Sequence, residues 1–237
     1  MIDTRFGIEY YRARVRRLLH ELGFRLRRLR HRHLRATAEA HAAFVAEMEA
    51  WLAEWPEEWE LIFVDEATVR RHPMLTAPWC LVDEVPDVPT GDDHTKRHIY
   101  GAVAPRTGRT HDHISPELGT GALVKFLQQL LVANPGKRLL VIHDRGAQHK
   151  GAAVAEVIRE AAGRLMLKAQ PAYSPDLNPQ ERIWKWLRRV VTHHHWFETL
   201  REPIEAIRNF FCYLAGVKTQ VQRLCGLKTP ESLVASL

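Results

Sequence analysis

The sequence predicts an α/β protein in which a mixed five-stranded sheet carries helices on both faces. Two observations lead to this class. Three strand-like segments follow one another between residues 61 and 114, and strands and amphipathic helices then alternate up to residue 192. A hairpin-linked meander followed by crossover units places antiparallel and parallel strands in one sheet. With 237 residues and 46% hydrophobic content, the chain can bury a sizeable core.

The predicted strands are short apolar runs bounded by turn residues. The fourth has no polar residue before His143, which is typical of a strand buried on both faces. Residues 66–95 are rich in proline and acidic residues and predict a loop insertion after the first strand. The five strands are expected at 61–65, 98–104, 109–114, 139–144 and 165–168.

The predicted helices follow from apolar residues at helical spacing and from glycine or proline at their ends. Residues 24–34 alternate apolar and basic residues and suit a short hairpin or a basic arm. We divide the chain into a head (1–35), a helical linker (36–58), a catalytic domain (59–200) and C-terminal helices (201–237). Helices are expected at 10–21, 36–52, 121–132, 152–162, 178–192, 203–215 and 230–237.

Positive charge is concentrated at the N-terminus. Residues 1–38 hold 11 arginines, no lysine and three acids, a net charge of +8, whereas the whole chain carries only +6. Such a basic arm on a near-neutral body is the electrostatic footprint of a nucleic-acid binder, although a solvated arginine-rich helix is the plainer alternative. The candidate DNA-binding residues of the head are Arg12, Arg14, Arg16, Arg17, Arg25, Arg27 and Arg28.

Composition also excludes several classes of protein. No apolar run reaches 18 residues, which argues against a membrane span, and no apolar segment follows the N-terminal charges as in a signal peptide. The three cysteines show no CxxC spacing. This usage predicts a reducing cytosol and argues against a disulfide framework or a cysteine zinc site.

Three carboxylates occupy positions that suit a metal centre. Asp65 and Asp144 each end an apolar strand-like run, and Glu181 lies in the first turn of a predicted helix. Divalent ions such as Mg²⁺ prefer carboxylate oxygens, and two ions about 4 Å apart can drive phosphodiester chemistry. Each residue also has a plainer interpretation. An aspartate often begins a turn, and Glu181 could form a capping box with Asn178.

Other side chains near these carboxylates are candidate auxiliaries. His149 follows Asp144 in a polar turn and could donate to a metal-bound or phosphate oxygen, although a lone histidine is more often a surface or capping residue. Asn178 suits a helix N-cap. The basic residues of the following helix, which could meet DNA phosphate, are Arg182, Lys185, Arg188 and Arg189.

Four blocks of the sequence resemble the DDE transposases of bacterial insertion sequences in the mariner-like superfamily. The last block is the most specific of the four. Together they cover roughly residues 60–195. The blocks are FVDE at 63–66, RHIYGAV at 97–103, VIHD at 141–144 followed by His149 and Lys150, and YSPDLNPQERIW at 173–184.

The resemblance implies an RNase H-like fold in which Asp65, Asp144 and Glu181 are catalytic and bind two Mg²⁺ or Mn²⁺ ions. It implies DNA strand cleavage and strand transfer at element ends, with double-stranded DNA (transposon ends and target) as partner. We expect a homodimer without membrane association, in the bacterial cytoplasm and associated with the nucleoid.

Two departures from the family pattern leave alternatives open. The family usually has Asn directly after the second aspartate, where this chain has Arg145. Residues 6–35 resemble only the last part of the second helix-turn-helix unit, so we expect an N-terminally truncated transposase. A non-catalytic DNA-binding remnant that represses its parent element is therefore the main alternative. A cellular RNase H-like nuclease is a third, and the block at 173–184 argues against it.

Overall fold

The computed structural model describes residues 11–25, 37–77, 80, 83, 86–92 and 94–225. The chain divides into two compact units, Met1–His33 and Leu34–Leu237. In the first unit, α1 spans Arg12–Glu21 and has no buried residue. The helix ends before Gly23, whose φ of 84° is in the left-handed region that glycine adopts readily.

The second unit is built on a five-stranded sheet in the order β3-β2-β1-β4-β5. The β1–β2 and β2–β3 pairs are antiparallel, and the β1–β4 and β4–β5 pairs are parallel. This arrangement confirms the mixed sheet that the sequence predicts. The strands are β1 (Trp59–Arg70), β2 (Lys96–Ala104), β3 (Arg109–Ser115), β4 (Arg138–His143) and β5 (Leu165–Ala169).

Among the described residues of this unit, six α-helices cover both faces of the sheet. One face packs Leu140 and Ile142 of β4 against apolar side chains of α2, α5, α6 and α7, and the opposite face packs Leu139 and Val141 against α3 and α4. Successive strand residues therefore alternate between two cores. The helices are α2 (Ala38–Ala53), α3 (Thr120–Ala133), α4 (Ala152–Glu160), α5 (Gln180–Leu187), α6 (Arg201–Gly216) and α7 (Lys218–Cys225).

Two predicted elements differ from the structure, and one observed helix was not predicted. The loop insertion predicted from residue 66 is wrong at its start, because β1 continues and pairs with β2 as far as Arg70. Buried Val69 between exposed Thr68 and Arg70 is the alternation of a strand, and the composition of the longer segment concealed it. The helix predicted over 178–192 is an α-helix only to Leu187, and a π-helical turn follows. The sequence did not predict α7.

Some predictions fall outside the described residues. These include Arg27, Arg28, most of the segment 24–34 and the helix expected at 230–237. Within the described part of the chain, every helix is too short or too polar to cross a bilayer.

Candidate functional site

The strand register brings two of the predicted carboxylates to one end of the sheet. The parallel pairing of β1 with β4 ends where Phe63 lies opposite Ile142, so Asp65 and Asp144 each stand two residues beyond the last pair. Ligands commonly gather at the carboxyl ends of parallel strands. The prediction that Asp65 ends its strand is wrong, because β1 continues in antiparallel pairing with β2, where Asp65 lies opposite Gly101.

Asp65 lies beneath helix α5. The indole Nε1 of Trp184 donates a hydrogen bond to Asp65 Oδ2 at 3.0 Å, and Trp184 itself is buried. Gly101 permits α5 to lie close to β2, because a Cβ at this position would lie 2.4 Å from both the Trp184 ring and the Gln180 side-chain amide nitrogen. Burial, reinforced by the charges of Glu181 and Glu66, raises the pKa of Asp65 to about 7.

Asn178 fixes the start of α5 against the sheet. Its Nδ2 donates to the carbonyl of Val64 at 2.9 Å, and its Oδ1 accepts from the amide of Gln180 at 3.0 Å. The amide of Asn178 donates to the carbonyl of Pro175. That amide is the group a capping box would join to Glu181, so the capping interaction considered for Glu181 is not formed. The half-buried Glu181 is held near enough to Asp65 to influence its charge.

Asp144 has a different environment from Asp65. The amide of Gly146 donates to Asp144 Oδ1 at 2.8 Å, and Nε2 of His149 lies 3.4 Å from the same oxygen. The nearby His149 ring, helped by the Gly146 amide, holds the pKa of Asp144 below its usual value despite partial burial. The side chain of Asp144 is 46% exposed. A carboxylate in this position is ionised at neutral pH.

A buried histidine pair stands beside Asp144. The rings of His143 and His149 stack with their centroids 4.2 Å apart, and Nε2 of His149 also lies 3.4 Å from Glu66 Oε1. Although burial opposes the charge, Asp144 and Glu66 raise the pKa of His149 to about 9. Burial and the charge of His149 lower the pKa of His143 to about 4. The surface position considered for His149 is therefore wrong.

The sequence did not predict three parts of the site, namely Glu66, Gly101 and the indole contact of Trp184. Glu66 directly follows Asp65, and β-strand alternation directs its side chain to the opposite face of the sheet, where Gln148 Nε2 donates to its Oε1 at 3.2 Å. If the strand had been extended past residue 65, the same alternation would have predicted the position of Glu66 from the sequence. Gly101 lies opposite Asp65, and its proximity to Trp184 depends on tertiary packing.

The candidate DNA-contacting residues are placed unequally. Arg182 is half-buried and its Nη1 donates to the carbonyl of Leu224 at 3.1 Å, so part of its guanidinium is bound within the protein. Arg25 is exposed, and its Nη1 donates to the carbonyls of His20 and Phe24. Arg188 is half-buried. The remaining described candidates, which are all exposed, are Arg12, Arg14, Arg16, Arg17, Lys185 and Arg189.

Comparison with known families agrees with this geometry. Residues 60–203, more than half of the chain, match the family described as DDE superfamily endonuclease. The chain belongs to this family. Residues 1–48 match a second family, described as winged helix-turn helix. A segment that matches a winged helix-turn helix family and a catalytic-domain match thus occur in one chain.

Individual relatives are distant. The chain is 24% identical over 160 residues to the insertion element IS630 uncharacterized 39 kDa protein of Shigella sonnei, and this match covers 67% of the chain and 46% of that protein. The chain thus spans about half the length of this relative. An uncharacterized Sinorhizobium fredii protein is 27% identical over 92 residues, which cover 38% of the chain and 64% of that protein.

Solved structures share the fold. The Mos1 mariner paired end complex with Mn aligns with a TM-score of 0.67 at 14% identity, over 97% of this chain and 70% of that one. The catalytic domain of Mos1 mariner transposase aligns with a TM-score of 0.60 at 12% identity, over 86% of this chain and 92% of that one. These matches confirm the RNase H-like fold.

Proposed function

We propose that this protein is an insertion-sequence transposase that cleaves DNA at element ends and transfers the freed strand to target DNA. Asp65, Asp144 and Glu181 form its catalytic site and hold two Mg²⁺ or Mn²⁺ ions. The observation that carries the proposal is the register of β1 and β4, which brings the two aspartates to the same end of the sheet, with Glu181 near enough to Asp65 to raise its pKa.

The residues present suit divalent cations. Asp65 carries a raised pKa because it is buried beside Glu181 and Glu66, and a bound cation would relieve that repulsion. When bound, the two ions would polarise the scissile phosphate and stabilise the attacking and leaving oxygens. The related Mos1 structures are described as complexes with Mn and with Mg.

The chain's own residues position this chemistry. Trp184 orients Asp65, the Gly146 amide orients Asp144, and Asn178 holds the start of α5 so that Glu181 stays beside the strands. Water, and later the freed 3′-hydroxyl, would act as nucleophiles, so no covalent protein–DNA intermediate is required. The exposed arginines of α1 and the exposed basic residues of α5 and its π-helical turn would contact duplex phosphate.

The assembly and the location follow from this activity. We propose a homodimer, because related Mos1 structures are described as paired-end complexes and two element ends must be processed together. We place the protein in the bacterial cytoplasm at the nucleoid, where its DNA substrate lies. The thiols of Cys212 and Cys225, which form no disulfide within the described part of the chain, suit a reducing compartment. The domain boundaries proposed from sequence are retained as part of this proposal.

A DNA-binding protein without catalysis is the second candidate. Arg145 favours it, because a guanidinium follows the second aspartate where the family usually has Asn. In the structure Arg145 is exposed, and its Nε donates to the carbonyl of Gln170 at 3.2 Å. Because the guanidinium is solvated and bound to this carbonyl rather than buried, Arg145 is compatible with an active site.

Catalysis is tested with duplex DNA carrying the cognate element ends, in the presence of Mn²⁺. We expect wild-type protein to nick and transfer strands, and Asp144→Ala and Glu181→Gln each to reduce the rate by about 10³-fold or more, as expected when charge stabilisation in the transition state is lost. Glu205→Gln is the matched control, because Glu205 is an exposed carboxylate on α6, outside the proposed site. Undiminished cleavage by Asp144→Ala would refute the site, and inactive wild-type protein that still binds DNA would favour the second candidate.

DNA binding by the head is tested through its salt dependence. Each phosphate contact contributes a slope of about −0.9 in log affinity against log salt. We therefore expect Arg12→Gln with Arg16→Gln to flatten the slope by up to about 1.8. Arg159→Gln is the control, since Arg159 is exposed and pairs with Glu156 on α4. Equal slopes for the double variant and the wild type would show that α1 is only a solvated helix.

A further inference from the structure

Helix α5 covers three strand positions that lie side by side. Asp65 is paired with Gly101 across β1 and β2, and Gly101 is paired with Asp112 across β2 and β3. Directly opposed residues of antiparallel strands point to the same face of a sheet, so Asp65 and Asp112 flank the glycine on the face that α5 covers. A Cβ at Gly101 would clash with Trp184 and Gln180, so these two side chains of α5 lie directly over the row.

The side-chain amide of Gln180 is buried between α5 and the sheet. Its residue is 0% exposed, and within the described part of the chain neither Oε1 nor Nε2 has a hydrogen-bond partner. Burial of an amide without partners is unfavourable, because both polar atoms lose their hydrogen bonds to water. A group of this kind in the first turn of the helix that carries Glu181 requires an explanation.

The two side chains over Gly101 differ in their contacts. Trp184 donates directly to Asp65 at 3.0 Å, on one side of the glycine. Gln180 would touch a Cβ at Gly101, and opposed Cβ atoms are about 4.5–5.5 Å apart, so the Asp112 Cβ lies within about 8 Å of the Gln180 amide nitrogen. A single water molecule can join two polar groups that are too far apart for a direct hydrogen bond.

The neighbourhood of Asp112 is polar enough to hold water. Burial raises the pKa of the half-buried Asp112, and Arg208 of α6 partly opposes this shift. Thr110 precedes Asp112 by two residues on the same face, and its buried Oγ1 also has no hydrogen-bond partner among the described residues. An internal water needs two to four polar partners, and Gln180, Asp112 and Thr110 can supply them.

We propose that Gln180 is a positioning residue for Glu181, and that it acts through an ordered water molecule shared with Asp112. Helix α5 is then fixed at two points of one row, directly by Trp184 to Asp65 and through water by Gln180 to Asp112. Because Glu181 follows Gln180 in the chain, the second point fixes the turn that carries the carboxylate. The positioning role rests on the proposed function of Glu181 as a metal ligand, whereas the water site does not.

A double-mutant cycle on the metal-free protein tests the shared water. Gln180→Met keeps an unbranched side chain of similar length but removes the amide, and Asp112→Ala removes the carboxylate. We expect Gln180→Met to lower the folding equilibrium constant at least about tenfold in the wild-type background, because it leaves buried partners unsatisfied. In the Asp112→Ala background the same change should lower the constant less than about threefold, since the two residues share one interaction.

Two further variants control this cycle. Asp112→Asn still accepts a hydrogen bond from water, so it should retain the full effect of Gln180→Met. Gln128→Met is the matched control, because Gln128 is an exposed glutamine of α3, and it should change the folding equilibrium constant less than about twofold. Urea denaturation with a chelator present measures all of these variants.

The positioning of Glu181 is measured by calorimetric titration with Mn²⁺. We expect Gln180→Met to weaken Mn²⁺ binding about tenfold, as changes to the groups that support metal ligands commonly do. In the Glu181→Gln background, Gln180→Met should have no further effect on the affinity, because it acts only through that carboxylate. A purely structural role of Gln180 would weaken binding equally in both backgrounds.

The possible outcomes are distinct. A Gln180→Met protein as stable as the wild type would show that the amide holds no water, and equal losses in both Asp112 backgrounds would show that Asp112 is not its partner; either result overturns the water site. Unchanged Mn²⁺ affinity in Gln180→Met would overturn the positioning role. A wild-type protein that binds no Mn²⁺ would instead refute the proposed metal site, and the metal-free cycle would still decide the water site by itself.

Discussion

Asp65 and Asp144 occupy equivalent positions on neighbouring parallel strands, yet the charged groups around them have opposite signs. Asp65 is held beside Glu181 and Glu66, and its pKa rises to about 7. Asp144 is held beside His149, and its pKa lies below the usual value. His149 places a positive charge beside Asp144, whereas Glu181 and Glu66 place two negative charges beside Asp65.

This difference indicates where the metal-free protein is under electrostatic strain. Ionisation of Asp65 is costly until a cation binds, whereas the ionised form of Asp144 is already stabilised by His149 and the Gly146 amide. A bound cation should therefore benefit the Asp65 side most. The following predictions test that asymmetry through stability, which can be measured without DNA.

The largest expected effect is an opposite response to Asp→Asn at the two positions. At pH 8 in the absence of metal, we expect Asp65→Asn to raise the free energy of unfolding by about 2–4 kcal/mol, since one pKa unit corresponds to about 1.4 kcal/mol. Asn can still accept the Trp184 hydrogen bond. Asp144→Asn should instead lower the free energy of unfolding by about 1 kcal/mol, a small value because Asp144 is partly exposed to solvent. Urea denaturation with a chelator present measures both.

The pH dependence of stability tests the same prediction, because the direction of the change with pH is fixed. Because the folded-state pKa of Asp65 is raised from 3.8 to about 7, the folded protein binds this proton more tightly than the unfolded chain does. The Asp65 contribution to stability is therefore present below pH 4 and is lost as the pH rises to about 7. The gain from Asp65→Asn should be small at pH 4 and reach its maximum above pH 7. A gain that does not change with pH would mean that Asp65 is not the strained group.

Metal binding should reduce the asymmetry. At a Mn²⁺ concentration 100 times its dissociation constant, we expect the wild-type protein to gain about 2.7 kcal/mol of stability. Asp65→Asn should lose most of this gain, because it removes a ligand charge and the strain that the ion relieves. Differential scanning calorimetry across a Mn²⁺ titration measures the shift. A wild-type melting temperature that is indifferent to millimolar Mn²⁺ would contradict the proposed metal site.

The asymmetry could not be predicted from the sequence, although the two aspartates could. Each follows an apolar run of strand length, and these runs, with the predicted crossover units, were sufficient to place both strands in one mixed sheet and both aspartates at one end of its parallel pair. Apolar runs do not specify what packs above them. The raised pKa of Asp65 depends on α5 resting on Gly101, a contact between elements about 80 residues apart.

The environments of Glu66 and His149, on the other face of the sheet, were likewise not predictable from the sequence. The composition of residues 66–95 predicted a loop, so the outward alternation of Glu66 along an extended β1 was not considered. His149 was correctly placed in the turn after β4, but its burial results from stacking on His143 and packing under β1. Tertiary contacts therefore decide which polar residues of a correctly predicted turn belong to the site.

The smallest expected effect concerns Glu181, the neighbour that contributes to the strain on Asp65. Its side chain forms no capping box, because the Asn178 amide donates to the carbonyl of Pro175. Glu181→Gln should therefore cost the helix little and should remove one of the charges that raise the pKa of Asp65. In metal-free protein at pH 8 we expect a gain in stability of about 0.5–1 kcal/mol, smaller than that of Asp65→Asn because burial, the larger cause, remains. Glu205→Gln on α6 is the matched control, and chemical denaturation of all three variants measures the ranking. A loss of about 1 kcal/mol in Glu181→Gln would instead indicate a capping or packing role for the glutamate. If that variant also cleaved DNA as fast as the wild type, the proposed third ligand would have to be sought in the same loop, beginning with Asp176.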